Sequence, residues 1–259
     1  MPDDIICSIR HELERAAEVR NRETSQRFFR EPVACYGVKT PVVRKIAGRY
    51  FPAVLGRGKG GIFALCDELF STDTCEEAFI ASEWAYRLRD TYESGDIAIF
   101  EAWIEKYVNN WAKCDTLCNH AVGALLERFP GCAKDLERWA ASPNRWLRRA
   151  AAVSLVLPAR KGMFLVHVLE ISDRLLTDGD DLVQKGYGWL LKEAGRKHQK
   201  EVFDWVMLHQ DVMPRTALRY AMEKMPRELR GQAMGRHHEK MVKRDEDTGR
   251  SRRKGRHLA

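Results

Sequence analysis

In the stretch VNNWAKCDTLCNHAVGALL, residues 108–126, Trp111 and Asp115 stand one turn apart beside an apolar stripe that runs from Cys114 to Leu125. Residues four apart on a helix meet on one side, and a carboxylate is almost never fully buried unless it is paired. An aromatic face and a carboxylate both favour positive charge beside them. Two readings are therefore open: a Trp packed at a helix start with Asp115 bonded to a neighbouring basic residue or helix end, or a site that prefers a cation.

Two more segments carry residues of this kind. SPNRWLRRAAAVSLVLPARKG, residues 142–162, opens with Ser and Asn of helix-capping type, places Arg148 and Arg149 beside small apolar residues, and closes on Arg160 and Lys161. Vicinal arginines entering an apolar helix either form a structural ion pair or clamp phosphates, which planar guanidinium does well. DDLVQKGYGWLLKEAGRKHQ, residues 180–199, puts Trp189 one turn after Lys185 on a helix containing Gly186 and Gly188. Each glycine costs a helix about 1 kcal/mol relative to Ala, so another backbone or a ligand is expected to approach closely there. His120, His198, His237 and His238 have no matched partners in the sequence and read as structural or solvent-exposed.

The elements that must position these residues are helices. Apolar residues recur with a 3.6-residue period and no segment sustains strand-like alternation, which predicts an all-α protein. Turn signals punctuate the chain at Thr40-Pro41, Phe129-Pro130-Gly131, Ser142-Pro143-Asn144, Asp178-Gly179-Asp180, Met213-Pro214 and Met225-Pro226. The GRGKGG run at 56–61 lacks the Lys-Ser/Thr ending of a phosphate loop and reads as a flexible connection. Trp103 and Trp139 lie 36 residues apart, and Trp139 and Trp205 lie 66 apart, close to two such units. A period in the mid-thirties built from two helices and a turn marks a helical solenoid of the HEAT or TPR kind, with a compact irregular bundle as the alternative. Such stacks usually bind something extended on their concave face.

Composition narrows the function classes. The chain has 259 residues, 44% hydrophobic and 31% charged, enough for a substantial core. Its longest apolar run, AAAVSLVLPA, is half of the roughly 20 residues a bilayer span needs. The opening MPDDIICSIRHELERAAEV has acids where a signal peptide carries basic residues, so a cytoplasmic protein is expected. Seven scattered cysteines form no CxxC block and no zinc spacing with His, and read as reduced core thiols; neither a metal nor a cofactor is expected. The net charge is +7, but residues 236–259 hold nine Lys or Arg against four acids, leaving +2 for the rest. A nucleic-acid-binding body must therefore gather its positive charge on one face. Residues 1–235 read as one helical-repeat domain and 236–259 as a basic tail, either simply solvated or attracting DNA non-specifically.

Five stretches, YGVKTPVVRKIA (36–47), NNWAKCDTLCNHAVG (109–123), SPNRWLRRAAAVSLV (142–156), VQKGYGWLLKEAGRKH (183–198) and VMPRTALRYAMEKM (212–225), together resemble the AlkD-like DNA alkylation repair enzymes. These are monofunctional DNA glycosylases built from HEAT-like repeats, and the stretches keep the family's order and intervals. The resemblance implies a HEAT-like α-α superhelix whose concave face binds double-stranded DNA carrying alkylated purines, acting as a monomer with no cofactor, metal, membrane or obligate protein partner. It puts the catalytic Asp on Asp115, its aromatic partners on Trp111 and Trp189, and the active-site Arg on Arg149. It also turns Lys39, Thr40 and Arg44 toward the DNA backbone. Arg148, Arg160, Lys161 and Lys185 add positive charge to the expected DNA surface. The family varies at the Lys39 position, and the basic tail lies outside the shared pattern.

The implied chemistry suits these residue types. Purines alkylated at N3 or N7 are cationic and leave as neutral bases, so the glycosidic bond breaks without a general acid. What needs help is the positive charge that develops on the deoxyribose. A carboxylate about 4 Å away, at an effective dielectric near 20, contributes roughly 4 kcal/mol, about a thousandfold in rate. Tryptophan faces attract a cation by about 0.5–2 kcal/mol each, and Arg149 is expected to grip a phosphate beside the lesion. The competing readings are a HEAT-like module that recognises DNA shape or damage without cutting, and a protein-binding scaffold. The latter predicts an acidic or apolar concave face in place of the basic residues named above.

Overall fold

The structure, a computed structural model, describes residues 3–235; the basic tail at 236–259 lies outside the described residues. Helices and their connections make up all of the described chain, with no strand among the described residues. Contacts divide the chain into two compact units, with the boundary after Pro158.

In the first unit, short connections join neighbouring helices into packed pairs, as the tryptophan period predicts. Gly58–Ser71 packs on Cys75–Arg87, and Ala133–Ala140 on Arg145–Val153. Both repeat tryptophans are buried, Trp139 within the second pair and Trp103 on the helix Asp96–Tyr107, where its ring meets Phe63 and Phe70 of Gly58–Ser71; large aromatic side chains contribute the most apolar area to such cores. Trp84 is fully buried as well, and its indole N–H donates to the Ala47 carbonyl at 2.9 Å.

The GRGKGG run departs from its expected role as a connection. Leu55–Arg57 make one tight turn, Gly58 takes φ +65°, and the glycines then form the first turn of the helix Gly58–Ser71. Lys59 explains how so poor a helix start is held: its ammonium bonds Glu93 at 2.9 Å and Asp96 at 3.0 Å, at the start of the helix Asp96–Tyr107. The cysteines depart in part. Five are buried, while Cys7 is exposed and Cys35 half-buried.

The second unit pairs Leu165–Leu175 with Asp181–Ala194 and adds Gln199–His209, Arg215–Ala221 and a helical stretch at 227–235. Asp180 caps the helix that carries Trp189 by accepting from the backbone N–H groups of Leu182 and Val183. The sequence expectation for its glycines holds at Gly188, where a Cβ would stand 2.7 Å from the Ala217 carbonyl oxygen and from the Tyr220 Cβ. Two helices pack backbone to backbone there. Gly188→Ala is therefore expected to lose about 1–3 kcal/mol, read as a lower urea midpoint; an unchanged midpoint would refute the close packing.

Candidate active site

The helix bearing Asp115 is short, Trp111–Leu117, and is fixed at its start. Asn110 caps it, its side-chain oxygen accepting from the Lys113 N–H at 3.0 Å. Lys113 is fully buried, and its ammonium donates to the Asp73 carbonyl at 2.8 Å and to the Asp73 carboxylate at 2.5 Å. Asp73 holds a left-handed φ of +62° in the connection before Cys75 and also accepts from the Asn109 amide at 2.6 Å. These bonds pin the helix to that connection. The Cys114 thiol, bonded at 3.7 Å to the Trp146 carbonyl, ties it to the helix Arg145–Val153. Beyond Leu117 the chain widens into a π-helical turn, Cys118–Val122, before resuming as an α-helix at Gly123–Arg128. Such widened turns are frequent at functional sites.

Arg149 comes from the helix that Asn144 caps by accepting from the Trp146 N–H at 2.9 Å. Its guanidinium forks onto Asp115, Nε to Oδ1 at 2.8 Å and Nη2 to Oδ2 at 2.7 Å. Paired N–H···O bonds of this length are the strong, charge-assisted kind. Burial pushes the Asp115 carboxyl up from its ordinary value, and the Arg149 charge opposes that rise. Burial works against the Arg149 cation, but Asp115 more than restores it, so the guanidinium holds its proton more tightly than usual. Asp115 is the more accessible member, with 15% of its side chain exposed against 6% for Arg149. The sequence expectation put Arg149 on a phosphate; the structure places it on Asp115.

Trp111 is half-buried one turn before Asp115. Its ring stacks on Phe29, with centroids 5.3 Å apart and planes 22° from parallel, and its indole N–H donates to the Phe28 carbonyl at 3.3 Å. With Phe28, Phe29, Val33 and Phe79 it lines a cavity of about 220 Å³. Phe28 itself is 70% exposed. Nothing in the sequence tied residues 28–29 to Trp111, because the contact spans more than eighty residues.

The expected DNA-facing residues fall into both units. In the first, Lys39, Thr40 and Arg44 are exposed; Lys39 lies 4.0 Å from Glu18, and Arg44 makes no hydrogen bond or ion pair among the described residues. Arg148 turns back, donating to the carbonyls of Ser142 and Pro143 at 3.0 Å each. In the second, Arg160 and Arg196 both bond the buried Glu193, at 2.8 and 2.6 Å, Lys185 pairs with Asp181 at 3.0 Å, and Lys161 is exposed. Trp189 is half-buried with no hydrogen bond to its indole N–H among the described residues. The structure thus joins Asp115 directly to Arg149, with Trp111 a turn away on the same helix. Among the described residues no helix is long and apolar enough to cross a membrane.

A sequence model of the family described as DNA alkylation repair enzyme matches residues 9–225. Among solved structures, the fold is similar to that of a predicted DNA alkylation repair enzyme from Enterococcus faecalis, with a TM-score of 0.72 and 13% identity over 82% of this chain and 97% of that one. No curated protein matches.

Proposed function

Because the chain belongs to the DNA alkylation repair enzyme family, we propose that it is a monofunctional DNA glycosylase that hydrolyses the N-glycosidic bond of N3- or N7-alkylated purines in duplex DNA. The observation that carries this reading is the buried Asp115–Arg149 pair one turn from Trp111. Asp115 supplies the negative charge that the oxocarbenium-like sugar needs, and it orients the attacking water. Arg149 keeps that carboxylate ionised and aimed despite its burial. Because Arg149 offsets part of the field, the roughly 4 kcal/mol available from a lone carboxylate is an upper bound. Trp111 gives an aromatic face that favours the cationic base and sugar, and Trp189 is assigned the same task from its own unit. Lys39, Thr40 and Arg44 hold the DNA backbone, with Arg148, Arg160, Lys161 and Lys185 adding charge.

The test is release of free base from duplex DNA carrying N7-methylguanine. Base release with an abasic strand left intact is the expected result. Tight binding without release would move the protein to the second reading, a damage-recognising module without glycosylase activity.

A further inference from the structure

His120, which the sequence left without a partner, lies in the π-helical turn that follows the Asp115 helix. Its ring meets Tyr86 at 5.3 Å, and neither ring nitrogen is hydrogen-bonded among the described residues. His120, Thr116, Thr40, Arg44, Glu83 and Tyr86 surround a crevice of about 40 Å³. That is room for a few water-sized atoms, the scale of the free oxygens of one phosphate and too small for a base.

The polar groups at this crevice are mostly uncommitted donors. Arg44 has no ion pair, the Thr40 hydroxyl has no hydrogen bond among the described residues, and His120 offers a ring N–H. The one acid, Glu83, is bonded to Arg87 at 2.9 Å, and the Thr116 hydroxyl donates to the Ala112 carbonyl at 2.7 Å. The helix Arg145–Val153 also packs on the π-helical turn, and its charged neighbour Arg149 is committed to Asp115. Unbonded donors gathered around a small space, with a guanidinium among them, suit an anion.

We propose that Arg44, Thr40 and His120 form a seat for one backbone phosphate of duplex DNA, and that His120 takes up a proton when the seat is filled. The inference rests on the reading of duplex DNA as substrate. In the free protein, burial and then the Arg44 charge hold the His120 imidazole below its usual value, with Glu83 acting weakly the other way. A phosphate between the two side chains cancels the Arg44 repulsion and attracts the imidazolium. Thr40 and Arg44 thereby gain a third partner from the catalytic stretch, so one phosphate is fixed within two turns of Asp115 in the chain.

The experiment is fluorescence anisotropy of a labelled, undamaged duplex with the full-length protein, from pH 7.5 to 5.5 at constant ionic strength. Wild-type affinity is expected to rise about three- to tenfold on acidification, within the limit of tenfold per pH unit for one linked proton. His120→Gln is expected to lose most of that rise, and at pH 5.5 its salt slope falls by about 0.9, the value for one phosphate contact. In Arg44→Gln, an exposed change, the His120 imidazole of the free protein titrates at higher pH by NMR. A His120→Gln protein that keeps the wild-type pH dependence and salt slope overturns the seat, as does an unmoved His120 titration in Arg44→Gln. Wild type that binds no duplex at any pH overturns the seat and the functional reading together; binding that His120→Gln reproduces in full overturns the seat alone.

Discussion

Asp115→Asn is expected to slow release of N7-methylguanine from duplex DNA by about a hundred- to a thousandfold, a loss of about 3–4 kcal/mol of transition-state stabilisation. Asn keeps the shape and one acceptor but removes the charge that the developing sugar cation sees. The substitution has a second effect, because Arg149 is only 5% exposed and loses its anion. Breaking a buried pair by removing one partner typically costs 3–5 kcal/mol of stability, so the variant should also melt earlier. The two effects separate under single-turnover conditions, at equal DNA occupancy and well below the melting transition. Undiminished release there would mean that the catalytic carboxylate lies elsewhere; loss of activity tracking only the unfolded fraction would reduce Asp115 to a structural role.

Arg149→Met is the complementary change, and its expected signature is in the pH profile. Burial already raises the Asp115 carboxyl, and Arg149 is the group that opposes the rise. Without it, Asp115 stays protonated to higher pH, so the acid limb of the rate profile moves toward neutrality and release at pH 7 falls. The stability effect has a definite sign. A carboxyl whose folded pKa lies above its unfolded one is bound to a proton more often in the fold, so stability declines as pH rises between the two values. Arg149→Met widens that interval. Its destabilisation, of order 3–5 kcal/mol for a buried unpaired charge, should be greatest at neutral and higher pH and shrink on acidification. A pH profile superimposable on wild type, with lower stability at every pH alike, would show that Arg149 does not act through the Asp115 charge.

How much of this was legible in the sequence depended on whether the signal was local. Helix periodicity and the repeated tryptophans are local features, and they predict the helical-repeat fold; the capping residue at Asn144 is local as well. Gly188 announced a close backbone approach because glycine inside a helix needs a reason. Trp111 and Asp115 could be placed together because one turn separates them. The Asp115–Arg149 fork joins residues 34 apart, and vicinal arginines alone did not say which of the two turns inward or what it meets. Arg148 bonds the turn before its own helix, while Arg149 enters the core. Nothing local in the sequence marks Lys113 for burial; it is buried because Asp73, from another connection, supplies both a carbonyl and a carboxylate. The glycine run at 56–61 reads as a loop by composition, and only the distant acids on Lys59 make it a helix start.

The π-helical turn at Cys118–Val122 makes the alignment of the site a matter of counting. A turn of this kind holds one residue more than the same length of α-helix requires, and each residue rotates a helix by about 100°. With its start pinned at Lys113 and its far end buried through Leu125 and Leu126, the segment can satisfy both anchors only at its present length. Loss of a single residue between 118 and 122 would restore regular α-helical bonding while swinging one half of the segment away from its neighbours. A chain that drifted freely in sequence here would still be held to its number of residues, so insertions and deletions, more than substitutions, are the changes this stretch excludes.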